Sequence, residues 1–188
     1  MSPTRAFLFV RHGQTDWNVE GRMQGHTDIP LNATGLAQAH AAAARLNGHT
    51  FTRIVTSPLQ RASATAEVIA KTYNIPLEYD ERLKERSFGS FEGHLKDDLR
   101  QQYSIGPEEP LSAYMPADGE TTHAIRQRSR EAIAHWLATY PEETVLFVGH
   151  SAFFCALYQS LGGPYTQAHN AIPYHFQPTT HGWQLTTL

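Results

Sequence analysis

The stretch Ala6-Phe7-Leu8-Phe9-Val10-Arg11-His12-Gly13 decides the fold class. Five apolar residues in succession, with no polar residue alternating among them, read as a strand buried on both faces. Such strands belong to parallel sheets covered by helices on either side. Outward from this strand the chain alternates. An alanine-rich helix spans Asn32–Leu46, with Asn32 or Thr34 as N-cap. Arg53–Thr56 is a short strand, and Leu59–Tyr73 a helix begun after Ser57-Pro58. Pro76–Tyr79 reads as another strand, and Thr121–Tyr140 as a helix from the spacing of Ile125, Ile133, Trp136 and Leu137. Thr144–Val148 is a strand that runs into a turn at Gly149-His150 and a further helix, Ala152–Leu161. This order predicts an α/β fold, a three-layer α/β/α sandwich with a mainly parallel central sheet.

No repeat, low-complexity tract or linker divides the chain, so residues 1–188 are read as one domain. Gly106–Asp118 carries Gly106, Pro107, Pro110 and Pro116 without a period. It reads as part of a lid-like insertion over about residues 86–118. From Thr144 to Leu188 there is no Asp, Glu, Lys or Arg, which points to burial, with room for a homodimer interface.

Bulk properties exclude several partners. A formal net charge of −3 gives no electrostatic case for nucleic acid or an anionic membrane. Ala6–Val10 is too short for a signal-peptide core or a membrane span, so a cytoplasmic location is expected. One cysteine, Cys155, excludes an internal disulfide and fits a reducing compartment. Eleven histidines invite a metal, yet there is no HExxH and no paired CxxC, and neither metal nor cofactor is expected.

The chemistry begins where the first strand ends, because ligands in open α/β sheets bind outside the carboxyl ends of strands. Neutral imidazole is a good nucleophile near pH 7, so His12 can attack phosphorus there. Arg11 offers a planar fork of donors to phosphate oxygens, and Gly13 lets the backbone turn sharply. Further along come Gln14-Thr15-Asp16-Trp17-Asn18, Gly21-Arg22-Met23-Gln24-Gly25, and Asp28-Ile29-Pro30-Leu31-Asn32. Thr56-Ser57-Pro58-Leu59-Gln60-Arg61-Ala62 puts Arg61 at a helix start, and Leu83-Lys84-Glu85-Arg86-Ser87-Phe88-Gly89 is followed by Glu92-Gly93. Gly119-Glu120-Thr121 precedes the helix that carries Arg128, and the strand Val145–Val148 ends in Gly149-His150.

This ordered series, from about Phe7 to Ala156, resembles the histidine phosphatase (phosphoglycerate mutase-like) superfamily. The resemblance implies that His12 becomes a phosphohistidine. It implies that Arg11, Arg61 and His150, the last as a protonated imidazole, surround the transferring phosphoryl group and supply the charge a metal supplies elsewhere. Glu85 is then the general acid and base, a task that suits apolar neighbours such as Phe88. Asn18, Gln24 and Gly25 correspond to substrate-side phosphate contacts. Arg128 is expected to bind a carboxylate or backbone within the fold. One departure is Ser151-Ala152 after the second histidine, where many members have a small pair; Ser151 adds a hydroxyl to the substrate site or caps the next helix.

Gly149-His150-Ser151-Ala152-Phe153 nearly matches the nucleophile elbow of α/β-hydrolases, but Phe153 stands where glycine is needed. No acid follows Glu143, so the order Ser, acid, His cannot be completed. Between Arg86 and Gly119 the only cations are Lys96 and Arg100, little charge for a phosphoglycerate clamp. A phosphatase acting on a small phosphorylated metabolite is therefore favoured over a mutase, and both over a domain that only binds phospho-ligands. Phe88, Tyr103, Tyr114 and Met115 are candidate pocket-lining residues for an apolar portion of the substrate.

Overall fold

In the computed structural model, which describes residues 2–109 and 111–188, the opening apolar run is β1 (Phe7–Arg11). It is followed by β2 (Arg53–Thr56), β3 (Leu77–Tyr79), β4 (Val145–Gly149), β5 (Pro173–Thr179) and β6 (Gly182–Thr187). The helices are α1 (Asp16–Glu20), α2 (Ala33–Arg45), α3 (Gln60–Tyr73), α4 (Lys96–Gln102), α5 (Thr122–Thr139) and α6 (Ser151–Ser160). The strands form one sheet in the order β3-β2-β4-β1-β5-β6. The first four are mutually parallel, while β5 and β6 are added antiparallel beyond β1.

Side chains alternate across the strands, and that alternation builds both cores. Phe7, Phe9, Val55 and Phe147 pack with Ile133 and Trp136 of α5 and Phe153 and Leu157 of α6. On the other face, Leu8, Val10, Ile54, Leu146 and Val148 pack with Ala42 and Ala43 of α2 and Ala62, Ala66 and Ile69 of α3. The sandwich of three layers is thus present, with a mixed sheet whose central part is parallel.

Two segments depart from the sequence reading. The uncharged tail is not buried throughout: Gly162, Pro164, Tyr165, Gln167 and His169 are exposed before β5, and Gln177 to Thr179 and most of β6 face solvent after Phe176. Gln and Thr supply its polarity, so absence of charge did not mean absence of solvent-facing groups. Pro173 and Pro178 lie within β5 itself, which hides this strand from pattern reading.

The insertion holds α4 and a short 3-10 turn at Leu111–Ala113 rather than loop throughout, and Pro110 lies outside the described residues. Phe88, Leu111 and Met115 pack on a small cluster of Met23, Phe91 and Leu99. Tyr103 lies against Phe91 with ring centroids 5.3 Å apart, and the Tyr114 hydroxyl donates to Glu109. Phe88 and Met115 are thus part of the packing of the insertion, while Tyr103 and Tyr114 stay exposed on it.

The turn after β1 lies backbone to backbone against the start of α2. A Cβ on Gly35 would overlap the Gln14 carbonyl oxygen, and one on Gly13 would overlap that of Gly35. Gly35→Ala should therefore lower stability by about 1–3 kcal/mol in urea unfolding. Thr34→Ala, on the exposed neighbour, should change it by less than about 0.5 kcal/mol.

Candidate active site

Strand register builds the centre of the site. Arg11 stands opposite Gly149 across the parallel β1–β4 pair, so the next residues, His12 and His150, emerge side by side. Their ring centroids are 5.2 Å apart, and both residues are buried. Nδ1 of His12 lies 2.6 Å from the carbonyl oxygen of Gly13. A carbonyl only accepts, so Nδ1 carries the proton and Nε2 keeps its lone pair. The Gly13 amide donates to Thr65 Oγ1 at 3.0 Å, and that hydroxyl donates to the Arg61 carbonyl at 2.8 Å. His150 Nε2 pairs with the Ser57 hydroxyl at 2.8 Å, which leaves Nδ1 buried without a partner among the described residues.

Arg61 is completely buried near the start of α3. Its guanidinium donates to the carbonyls of Thr27 at 2.9 Å and Gly25 at 2.7 Å. Arg11 donates to the Ala168 carbonyl at 2.9 Å. Each of these arginines keeps a buried Nε without a partner, as does Gln24 at Oε1. The loop carrying Gln24 and Gly25 is held by the Glu92 carboxylate, which accepts from the amides of His26, Thr27 and Phe88 and from the Thr27 hydroxyl. Gly25, at φ +53°, is pressed so closely on Glu92 that a Cβ would overlap the carboxylate.

Glu85 reaches the same centre along a separate arm. Its Oε1 accepts from the amides of Arg86 at 2.9 Å and Phe153 at 3.0 Å, and Oε2 from Ala152 at 3.2 Å. The carboxylate therefore occupies the N-terminus of α6, where unpaired amides and the helix dipole favour an anion. Ser151 does not cap this helix: it is the first helical residue, His150 holds the cap position, and Glu85 takes the free amides. Phe88 packs on the Met23, Phe91 and Leu99 cluster of the insertion. Arg128 grips Glu120 through two bonds of 2.8 and 2.7 Å and donates to the carbonyls of Arg82 and Lys84, fixing the arm as expected. Trp136 Nε1 donates to Asp80 at the other end of the arm, at 2.6 Å.

Asn18 has its side-chain oxygen turned to its own helix start, accepting from the Thr15 amide at 3.1 Å. Sequence reasoning passed over Asn170, which donates to the His12 carbonyl at 2.9 Å from a loop more than 150 residues away. It also passed over Ser57, Thr65 and Glu92, whose polar side chains gave no periodic signal. Lys96 was weighed only as a count of charge. Its ammonium keeps solvent access but is held below its ordinary pKa by burial of its surroundings and by Arg11, against the pull of Glu85.

Burial, then Arg11 and Arg61, hold His12 well below its ordinary pKa, against the bond to Gly13. Burial, then Arg61, His12, Arg11 and Arg128, do the same to His150. Both directions favour the neutral ring at His12 and at His150. The half-exposed His175 shifts the same way, through burial and then His49. Histidines that stay neutral when folded take up protons when unfolded, so acid favours the unfolded chain. Stability should be complete above about pH 6.5 and fall below it, by up to about 1.4 kcal/mol per pH unit for each such histidine. Urea unfolding at pH 7 and pH 5 in anion-poor buffer checks this. His12→Asn should flatten the slope by about one proton, and an unchanged slope would mean that His12 titrates normally.

Comparison with known proteins agrees with this geometry. The family model of the histidine phosphatase superfamily (branch 1) matches residues 7–187. The chain is 37% identical over 158 residues to the uncharacterized phosphatase PhoE of Bacillus subtilis, covering 84% of this chain and 78% of that one. It is 33% identical over 159 residues to the probable phosphoglycerate mutase GpmB of Serratia proteamaculans, covering 82% and 74%. The solved structure of a mycobacterial glucosyl-3-phosphoglycerate phosphatase superposes with a TM-score of 0.86 at 28% identity, over 98% of this chain and 99% of the other. On the match of nearly its whole length and on these relatives, the chain belongs to the histidine phosphatase superfamily.

Proposed function

We propose that this enzyme is a metal-independent phosphatase that hydrolyses a small phosphomonoester through a phosphohistidine on His12. The observation that carries this reading is the convergence of a tautomer-fixed His12 with the buried Arg61, the half-buried Arg11, His150 and Glu85. In the first step His12 Nε2 forms the N–P bond as the ester P–O bond breaks, and Glu85 gives a proton to the leaving alkoxide. In the second, Glu85 takes a proton from water, the water oxygen bonds to phosphorus, and the N–P bond breaks to release phosphate. Oε2 is the oxygen we assign to this proton, since it accepts one amide where Oε1 accepts two. The unpartnered Nε atoms of Arg11 and Arg61 and Nδ1 of His150 supply donors to the phosphoryl oxygens. Two guanidiniums so placed provide the positive charge that metal ions provide at other phosphoryl-transfer centres.

Hydrolysis is favoured over mutase chemistry by the insertion. Of its two cations, Arg100 is engaged by the carbonyls of Gly106 and Glu109, which leaves Lys96 near the site. One lysine is a thin grip for a second acidic group on a phosphoglycerate. The names of PhoE and of the mycobacterial phosphatase support hydrolysis, while that of GpmB keeps phosphoryl transfer as the second reading. Residues 1–188 are read as one domain, in keeping with a sheet whose strands run from Phe7 to Thr187. A cytoplasmic setting fits the single buried Cys155. No helix among the described residues is long and apolar enough to cross a membrane.

The direct test is phosphate release from a panel of phosphomonoesters in EDTA, with 3-phosphoglycerate isomerisation assayed beside it. Release without isomerisation is expected; isomerisation with little release would make the enzyme a mutase. His12→Ala should cost at least about a thousandfold in kcat with the fold intact. Glu85→Gln should cost about a hundredfold or more on alkyl phosphates and far less on p-nitrophenyl phosphate, whose leaving group needs no proton. Equal losses on both would remove Glu85 from the acid role.

A further inference from the structure

Six buried side-chain nitrogen and oxygen atoms among the described residues lack a hydrogen-bond partner. Four of them, on Arg11, Gln24, Arg61 and His150, face the phosphoryl site described above. The other two are Nε of Arg126 and Nε of Arg130, and they belong to a different place. A cavity of about 220 Å³ on the outer side of α5 and α6 is lined by His123, Arg126, Gln127, Arg130, Gln159 and Ser160. His123, Arg126, Gln127 and Arg130 follow the spacing i, i+3, i+4, i+7, which puts them along one stripe of α5. Gln159 and Ser160 close the cavity from the last turn of α6. By helix rise that turn is about 14 Å along α6 from the His150 end, so the cavity is separate from the catalytic centre.

Its hydrogen-bonding balance is one-sided. The Gln159 side-chain oxygen already accepts from Arg126 Nη2 at 2.9 Å. The Ser160 hydroxyl donates to the Leu157 carbonyl at 2.7 Å, and the Gln127 amide is spent on Glu131 at 3.0 Å. Glu131 is the carboxylate nearest in sequence, and no salt bridge among the described residues reaches Arg126 or Arg130. By contrast Arg53, Arg82 and Arg128 each hold a carboxylate. No acidic residue follows Glu143, so neither α6 nor the tail beyond it can supply one. What remains is a pair of half-buried guanidiniums with donors left over in an open concave place, beside an exposed imidazole. Such a set matches an oxyanion taken side-on through Nε and its neighbouring nitrogen.

We propose that the α5–α6 cavity is a second oxyanion site, built for the phosphate group of a small anion and distinct from the catalytic centre. Its volume exceeds what a bare tetrahedral oxyanion fills, so a small phosphorylated metabolite fits as well as free phosphate. The proposal does not depend on the direction of the catalysed reaction, since it concerns binding alone.

The test is a titration of the full-length, isotope-labelled protein with inorganic phosphate, followed by backbone amide resonances, with sodium chloride at matched ionic strength as control. A second titration uses glycerol 3-phosphate with the His12→Ala protein, to separate a metabolite from free phosphate as the better occupant. Two independent groups of resonances should move: one around Gly13 and Arg61, the other at His123, Arg126, Gln159 and Ser160. In Arg126→Gln/Arg130→Gln the second group should need at least tenfold more phosphate, while the first titrates as before. Gln159→Glu, which keeps both arginines and places a carboxylate against them, should abolish the second group alone. The proposal is overturned if the second group does not move below about 10 mM phosphate, if chloride moves it equally, or if it titrates unchanged in both variants.

Discussion

Burying two guanidiniums beside two imidazoles is costly, and the arrangement of loops around the sheet answers that cost. A buried charge is tolerated only where hydrogen bonds replace its hydration. Arg61 receives the carbonyls of Gly25 and Thr27, and Arg11 that of Ala168. The loop that offers the first two carbonyls is pinned by Glu92 from the insertion, and the loop that offers the third also brings Asn170 to the back of His12. The chain's distant segments meet because each carries part of the solvation of the same charged centre.

The one carboxylate at that centre is managed differently. Glu85 makes no ion pair with its neighbours: Lys84 pairs with Glu81, and Arg86 turns to the Glu120 carbonyl and the Thr122 hydroxyl. Its oxygens are held by backbone amides at the N-terminus of α6, whose cap residue is His150 itself. Acid and second histidine are therefore placed by one helix start, and Arg128 with Trp136 of α5 fixes the arm on which Glu85 stands. Backbone donors suit the proton transfer proposed for Glu85, because they orient the carboxyl without adding a full opposite charge.

Strands and helices whose periodicity serves a core were legible in the sequence, and so were the chemical residues at strand ends. Arg53–Thr56 as a strand and Asn32 as the cap of α2 follow from burial pattern and side-chain chemistry alone. The β5–β6 hairpin was not legible, since its prolines break the pattern and its solvent face uses Gln and Thr in place of charge. Ser57, Thr65, Glu92 and Asn170 were not legible for another reason. Each acts through hydrogen bonds to residues far away in the chain, and a single polar residue leaves no trace of such partners in the sequence. Ser151 was misread because a serine before a helix looks like a cap; here a carboxylate from far away had already taken the amides.

Charge balance then links the site to the phosphoryl group proposed for it. Arg11 and Arg61 both face Glu85, and Arg61 also feels Asp28 and Glu92, yet burial first and then the two guanidiniums hold both imidazoles well below their ordinary pKa. A phosphoryl dianion among these groups would offset the part of the His150 shift that comes from Arg61 and Arg11, which is second to burial. The attack proposed for His12 needs the opposite treatment, since a protonated ring cannot attack, and its Nδ1 proton is already committed to Gly13. The two rings are chemically alike and 5.2 Å apart, yet one contacts a carbonyl and the other a hydroxyl. A carbonyl fixes one tautomer, whereas a hydroxyl accepts or donates as the ring requires. That difference leaves His12 with a free lone pair and lets His150 change its protonation with the charge before it.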